Sequence, residues 1–355
     1  MAILRKQDLP TPALVLDAAM FESNLARMQT HVAGFGKQLR PHAKAHKCVE
    51  VARRQVKAGA VGICVATVDE MSWMVRGGLP GLLLTSPLAD PAKMARVSGW
   101  SDGHDVMAVA DHARQVDHWQ AAAEAAGVRL SLLVDLDVGD HRTGIACGEP
   151  AIELARRIDA SANLRLRGVQ AYSVSGSHME DPVARRNHSL NSLAAAAETA
   201  QEMRRLGLPA AIMSGSSTGT WDVDTEIAEL TEMQAGSYIF HDMAYERIGI
   251  DFAPALRVLA TVISANHTDR VTVDAGFKAF STDRPFAPAP YLRDGVRYKF
   301  AGDEFGYIIG EGGQLPRLGE RVELLPPHID PTVNLHTRIH VCVGDIVEET
   351  WTLKE

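Results

Sequence analysis

The chain has 355 residues, of which 46% are hydrophobic and 23% charged, enough for one large domain and a smaller one, each with its own core. A formal charge of −8 without a basic stripe or an acidic tail offers no phosphate-neutralising surface, so nucleic acid is not an expected partner. Arg5, Lys6 and Asp8 interrupt MAILRKQDLPTPALVLD where a signal peptide would stay apolar, and no later run approaches ~18 apolar residues, so a cytoplasmic protein without a membrane span is expected.

Thr11–Asp17 reads as a strand and Ala18–His31 as the helix that follows it. From residue 38 to about 236, short β-branched or apolar runs alternate with longer helical stretches. The strand candidates are Gln38–Lys44, Gly62–Thr67, Gly81–Ser86, Asp105–Ala110, Leu130–Leu136, Leu166–Tyr172, Ala210–Ser214 and Ile227–Gln234, and Ala194–Leu206 is a clear helix. Eight such strands close a (β/α)₈ barrel, and the G-x-G-x-x-G turn of the rival doubly wound sheet is absent. After about residue 255 the texture changes to Val258–Ser264, Arg270–Asp274, Arg321–Leu325 and Arg338–Val343, with Pro- and Gly-rich connectors, which reads as a second, β-rich domain. The expected fold is α/β, a TIM-type barrel over 18–254 with a β-domain from 1–17 and 255–355. Cys48, Cys64, Cys147 and Cys342 form no C-x-x-C pair and read as packed free thiols.

In a barrel, chemistry sits at the C-terminal strand ends. The first strand ends in RPHAKAHKC and presents Lys44, either a solvated residue or an amine held for Schiff-base chemistry. The fifth delivers Arg142 from DHRTGI, a permanent cation for a phenolate-like oxygen or a carboxylate, or else a surface partner of Asp137 or Asp140. The sixth ends in QAYSVSGSH, with Tyr172 and, six residues on, His178, a proton acceptor or a structural histidine. The seventh and eighth lead into SGSSTGT and QAGSY, small-residue turns placed where barrel folds bind phosphate on backbone N–H groups. Finally, PPHIDPTVNLH sets His328 and Asp330 two apart in what reads as extended chain, on one face, as two ligands of a divalent metal or as a hydrogen-bonded pair in a Pro-rich turn.

In order, TPALVLD, RPHAKAHKC, HRTGI, QAY with His178, STGT, TEMQAGSY, VDAGFK and PPHIDPTVNLH resemble the fold-type III pyridoxal 5′-phosphate (PLP) enzymes, the alanine-racemase-like barrels, and within them the D-threonine aldolase and D-serine dehydratase group. The resemblance covers nearly the whole chain. It implies that Lys44 carries PLP as a Schiff base, that Arg142 lies near the cofactor's phenolic oxygen, and that Tyr172 belongs to the PLP pocket. Thr218, Gly236 and Ser237 match its phosphate-binding positions, His178 its base, and His328 and Asp330 its metal ligands.

The resemblance also implies a homodimer, a β-domain that takes in the first strand, and a small D-3-hydroxy amino acid as substrate. Dehydratases of this group carry His-x-Cys, suited to zinc, whereas His328-x-Asp330 offers harder ligation suited to Mn²⁺ or Mg²⁺. Aldolase chemistry, cleavage to glycine and an aldehyde, is therefore expected ahead of dehydration of D-serine or 3-hydroxyaspartate. A racemase would have no use for the metal pair, and non-catalytic PLP-binding barrels lack the β-domain. Three departures bear on substrate preference: SGSSTG in place of GGGTG, Ser173 in place of a histidine, and Ala66 in place of a glutamine.

Overall fold

The computed structural model describes residues 3–310 and 314–355. The chain divides into two compact units, one of Arg27–Lys44 and Val49–Gly236, the other of Met1–Ala26, Ala45–Cys48 and Ser237–Glu355. The first strand, β1 (Ala13–Asp17), belongs to the second unit.

The first unit is the barrel. Its parallel strands are β2 (Gln38–Leu39), β3 (Ile63–Val65), β4 (Leu82–Leu84), β5 (Val106–Ala110), β6 (Leu130–Asp137), β8 (Leu164–Ala171), β9 (Ile212–Gly215) and β10 (Glu232–Met233), and the two-residue β7 (Ile145–Ala146) is added to the end of β6. Their order is β2-β10-β9-β8-β6-β5-β4-β3. Val61 N–H donates to Leu39 O and Cys64 N–H to Pro41 O, both at 2.9 Å, which joins the two edges of the sheet. Side chains from β3, β4, β5, β6 and β9 pack together, with Cys64, Leu83, Met107, Val109, Leu133 and Ile212 in one buried cluster.

The connecting helices start on side-chain caps that the sequence supplies. Thr67 accepts from Glu70 N–H, and Asp90 and Asp181 cap helices that open with Pro91 and Pro182. Gly168 within β8 has φ +142°, and any Cβ there would collide with the Ile212 carbonyl, so strand contact at this point requires glycine. The first and last barrel strands are shorter than the sequence suggests. After Leu39 the chain turns into a 3-10 turn, Ala43–Ala45, and before Glu232 it runs through the 3-10 turn Asp224–Glu226.

In the second unit β1 pairs parallel with β17 (Arg338–Val343) and antiparallel with β11 (Leu256–Ser264). The rest of this sheet comprises β12 (Arg270–Val273), β13 (Ala289–Pro290), β14 (Val296–Phe300), β15 (Gly306–Gly310), β16 (Arg321–Leu325) and β18 (Ile346–Thr352). Leu9, Val15, Leu259 and Cys342 pack together beneath it. All four cysteines are free thiols. Among the described residues no helix is long and apolar enough to cross a membrane.

Candidate active site

The mouth of the barrel holds a cavity of about 330 Å³. Lys44 reaches it from the 3-10 turn after β2, Arg142 from the loop after β6, and Tyr172 from the residue after β8. Lys44 Nζ lies 5.6 Å and Arg142 Cζ 5.2 Å from the centre of the Tyr172 ring, so two cations converge on one aromatic ring. Ala66 and Thr85 line the same space.

The floor is a continuous polar chain that the sequence reading did not single out. His42 Nε2 is 3.0 Å from Thr85 Oγ1. Gln170 Nε2 donates to Thr85 O and to Asp135 Oδ1, both at 2.8 Å, and Gln234 Nε2 donates to Gln170 Oε1 at 3.1 Å and Ser214 Oγ at 3.0 Å. Burial lifts the Asp135 carboxyl to about 6, against the pull of its hydrogen bonds from Gln170 and Thr143. Gln170 was legible in principle. It is two residues before Tyr172, so the strand period sends both inward.

His178 closes a 3-10 turn, Ser175–His178, after β8, and it is not among the cavity-lining residues. Asp140 grips this loop: it accepts from Val174 N–H, from Ser175 N–H at 3.3 Å, and from the Ser175 hydroxyl, which in turn is 2.8 Å from His188 Nε2. Burial pushes the Asp140 carboxyl up, but these hydrogen bonds outweigh it and hold the group below the usual aspartate range.

Apart from Gln234, the two small-residue turns also lie outside the cavity lining. Thr218 begins the 3-10 turn Thr218–Thr220 and is buried, with buried Ser216 and Ser217 before it. A Cβ on Gly236 would stand 2.6 Å from His42 O, so only glycine permits that approach. The pieces suited to PLP are therefore present: an amine, a cation beside an aromatic face, and backbone turns free of side-chain bulk.

The second unit holds the other candidates. His328 is extended, φ −146° and ψ 126°, but Ile329–Val333 is a short helix, which corrects the expectation of extended chain through Asp330. Asp242 explains the turn. Fully buried, it accepts from Ile329 N–H at 2.8 Å and Tyr245 N–H at 3.1 Å, pinning the backbone between His328 and Asp330. Burial raises its carboxyl to about 6; the positive field of His328 and the two N–H groups oppose this, while Asp330 adds to it.

His328 Nδ1 is 2.6 Å from Asp283 Oδ2, and Ser237 Oγ donates to Asp330 Oδ1 at 3.2 Å, so the Ser237 hydroxyl is engaged by Asp330. Burial works against the Asp283 charge, but the hydrogen bond and charge of His328, helped by Arg284, hold its carboxyl below the usual range. Among the described residues no cluster of three or more His, Cys, Asp or Glu is arranged to hold a metal ion. One imidazole and one carboxylate nonetheless suit a hard divalent cation that keeps several waters. Asp242 and Asp283 were missed in the sequence because nothing local marks an aspartate whose partner is 45 or 87 positions away.

Residues 16–244 match the alanine racemase N-terminal domain family, and residues 255–342 the putative serine dehydratase domain. The D-threonine aldolase of Arthrobacter sp is 35% identical over 97% of this chain and 92% of that protein. The D-threo-3-hydroxyaspartate dehydratase of Delftia sp. (strain HT23) is 32% identical over 97% of both chains. Among solved structures, the D-threonine aldolase from Filomicrobium marinum superposes with a TM-score of 0.96 at 32% identity, covering 100% of this chain and 97% of that one.

Proposed function

The chain belongs to the D-threonine aldolase family of alanine-racemase-like enzymes, and on that premise we propose that it is a lyase cleaving D-3-hydroxy amino acids, of the D-threonine or D-phenylserine type, to glycine and an aldehyde. What carries this reading is the convergence of Lys44 and Arg142 on the Tyr172 ring within one cavity. Lys44 would hold PLP covalently, with Arg142 near its phenolic oxygen, Tyr172 at its ring, and Thr218, Gly236 and Ser237 around its phosphate. His328 and Asp330 would hold a divalent metal, Mn²⁺ or Mg²⁺.

PLP supplies an electron sink for the bond that breaks at Cα, and the metal lowers the pKa of an oxygen it binds. The chain's own residues do the rest. Lys44 would hold PLP in the resting enzyme and would be the amine that the substrate's own amine exchanges with. His178 accepts the proton of the 3-hydroxyl while the Cα–Cβ bond breaks and the aldehyde leaves, and one proton returned to Cα completes glycine. Asp140 holds the loop that carries His178, and Asp242 holds the backbone between the two metal ligands.

Dehydration is the second reading, favoured by the similarity to the Delftia enzyme. Asp330, in place of the cysteine that such dehydratases carry, favours cleavage. D-threonine separates the two: glycine with acetaldehyde marks the aldolase, and 2-oxobutyrate with ammonia marks the dehydratase. Running the assay with EDTA and with added Mn²⁺ tests the metal at the same time, and turnover indifferent to both would remove it from the reading.

A further inference from the structure

Asp283 lies between β12 and β13, well away in sequence from the turn His328-Ile329-Asp330 (the HID turn), yet its Oδ2 is 2.6 Å from His328 Nδ1. Two further hydrogen bonds stitch the segment that carries it to that turn, and a third closes the turn on itself. Ser281 N–H donates to Thr332 Oγ1 at 3.0 Å, Ser281 Oγ donates to His328 O at 3.2 Å, and Thr332 Oγ1 donates to the same carbonyl at 2.7 Å. Ser281 and Thr332 are buried, so the fold anchors beside the imidazole the segment that carries Asp283, whose own side chain is 44% exposed.

An ionised carboxylate can only accept, so the proton of a neutral imidazole in this pair sits on Nδ1 and the lone pair sits on Nε2. A metal needs that Nε2 lone pair, and a ring held by a carboxylate on its other nitrogen is both oriented and made more basic. We infer that Asp283 is the positioning residue of His328, selecting the tautomer and holding the ring that offers Nε2 to the divalent cation. This rests on the proposed role of His328 and Asp330 as metal ligands. Asp283 itself stays outside the coordination sphere.

The test is Mn²⁺ binding to metal-stripped, PLP-loaded full-length protein, read from the free-ion paramagnetic resonance signal and from water proton relaxation per bound ion. The wild type is expected to bind one ion per chain, and His328→Ala to lose it. Asp283→Ala is expected to weaken binding by about 10–100-fold, and Asp283→Asn, whose amide oxygen still accepts from Nδ1, by less than about tenfold. Relaxation per bound ion should be unchanged in both. Asp283→Ala that binds as tightly as wild type overturns the inference while leaving the metal reading intact. A rise in relaxation per ion in Asp283→Ala, from a coordination position opened to water, also overturns it, by making Asp283 a ligand. A wild type that binds no Mn²⁺, or His328→Ala that binds it unchanged, removes the metal reading and this inference together. Should Asp283→Ala fail to fold, Asp283→Leu, which is close in volume and cannot accept from Nδ1, carries the test, and binding as tight as wild type overturns the inference.

Discussion

The mouth of the barrel and the HID turn are built on different principles. Lys44, Arg142 and Tyr172 stand on the turn and loops that follow β2, β6 and β8, strands of one joined, hydrogen-bonded ring, so the ring brings them to one cavity. His328 and Asp330 stand on a one-turn helix held by side chains: Asp242 on the backbone between them, Asp283 on the imidazole and Ser237 on the carboxylate. A framework of strands tolerates the loss of any one contact. A turn held by three side chains does not, and a bound cation would add to its stability.

The sharpest way to break the contrast is Lys44→Ala. It should abolish the visible absorbance of covalently held PLP and lower turnover on the order of 10⁴-fold or more, while leaving the barrel folded by circular dichroism. Retained absorbance would move the cofactor elsewhere. Next in size is the turn: His328→Ala, or chelation of the wild type, should lower turnover by about 10²–10³-fold, with Mn²⁺ restoring only the chelated wild type. Activity that survives in both would make the turn merely structural.

Asp140→Asn probes a loop that belongs to the barrel but is held in the manner of the turn. Weakening its charged hydrogen bonds to residues 174 and 175 should lower kcat by about tenfold through looser placement of His178, with little change in PLP absorbance. An unchanged kcat would detach this loop from the chemistry.

The smallest effect compares the two buried carboxyls, one in each region. Asp135 and Asp242 are both raised to about 6 by burial, above the ~3.9 of an unfolded chain. Between these values the folded state holds more protons than the unfolded one, so stability from these groups is complete below pH ~4 and is lost as pH rises through 6. His241, lowered by burial to about 4, has the opposite slope, so each effect is read as a difference between wild type and variant. In urea melts of metal- and PLP-free protein, Asp135→Asn and Asp242→Asn should each gain on the order of 1–3 kcal/mol relative to wild type between pH 4.5 and 7. A parallel pH dependence in wild type and variant would place that carboxylate in a better-solvated setting.

The strand ends were readable because a barrel converts one-dimensional order into position. Each βα repeat marks a strand, and the residues that follow it face the mouth, so chain order alone places Lys44, Arg142 and Tyr172 together. The polar floor was half readable: Gln170 follows from strand alternation, whereas Gln234 and Asp135 matter only because their strands meet in the ring. The HID turn was misjudged as extended, since its helix depends on Asp242, 87 positions away from the backbone it caps.

By itself, then, the sequence determined the fold class, the succession of strands and helices, and the set of groups at the strand ends, because periodicity and turn chemistry are local. Tertiary structure alone decided which carboxylates hold His328 and the backbone beside Asp330, that Ser237 bonds to Asp330, and that His178 stands on a clamped loop outside the cavity lining. Those contacts join residues far apart in the chain, and a hydrogen bond leaves no trace in the local pattern of the residues that make it.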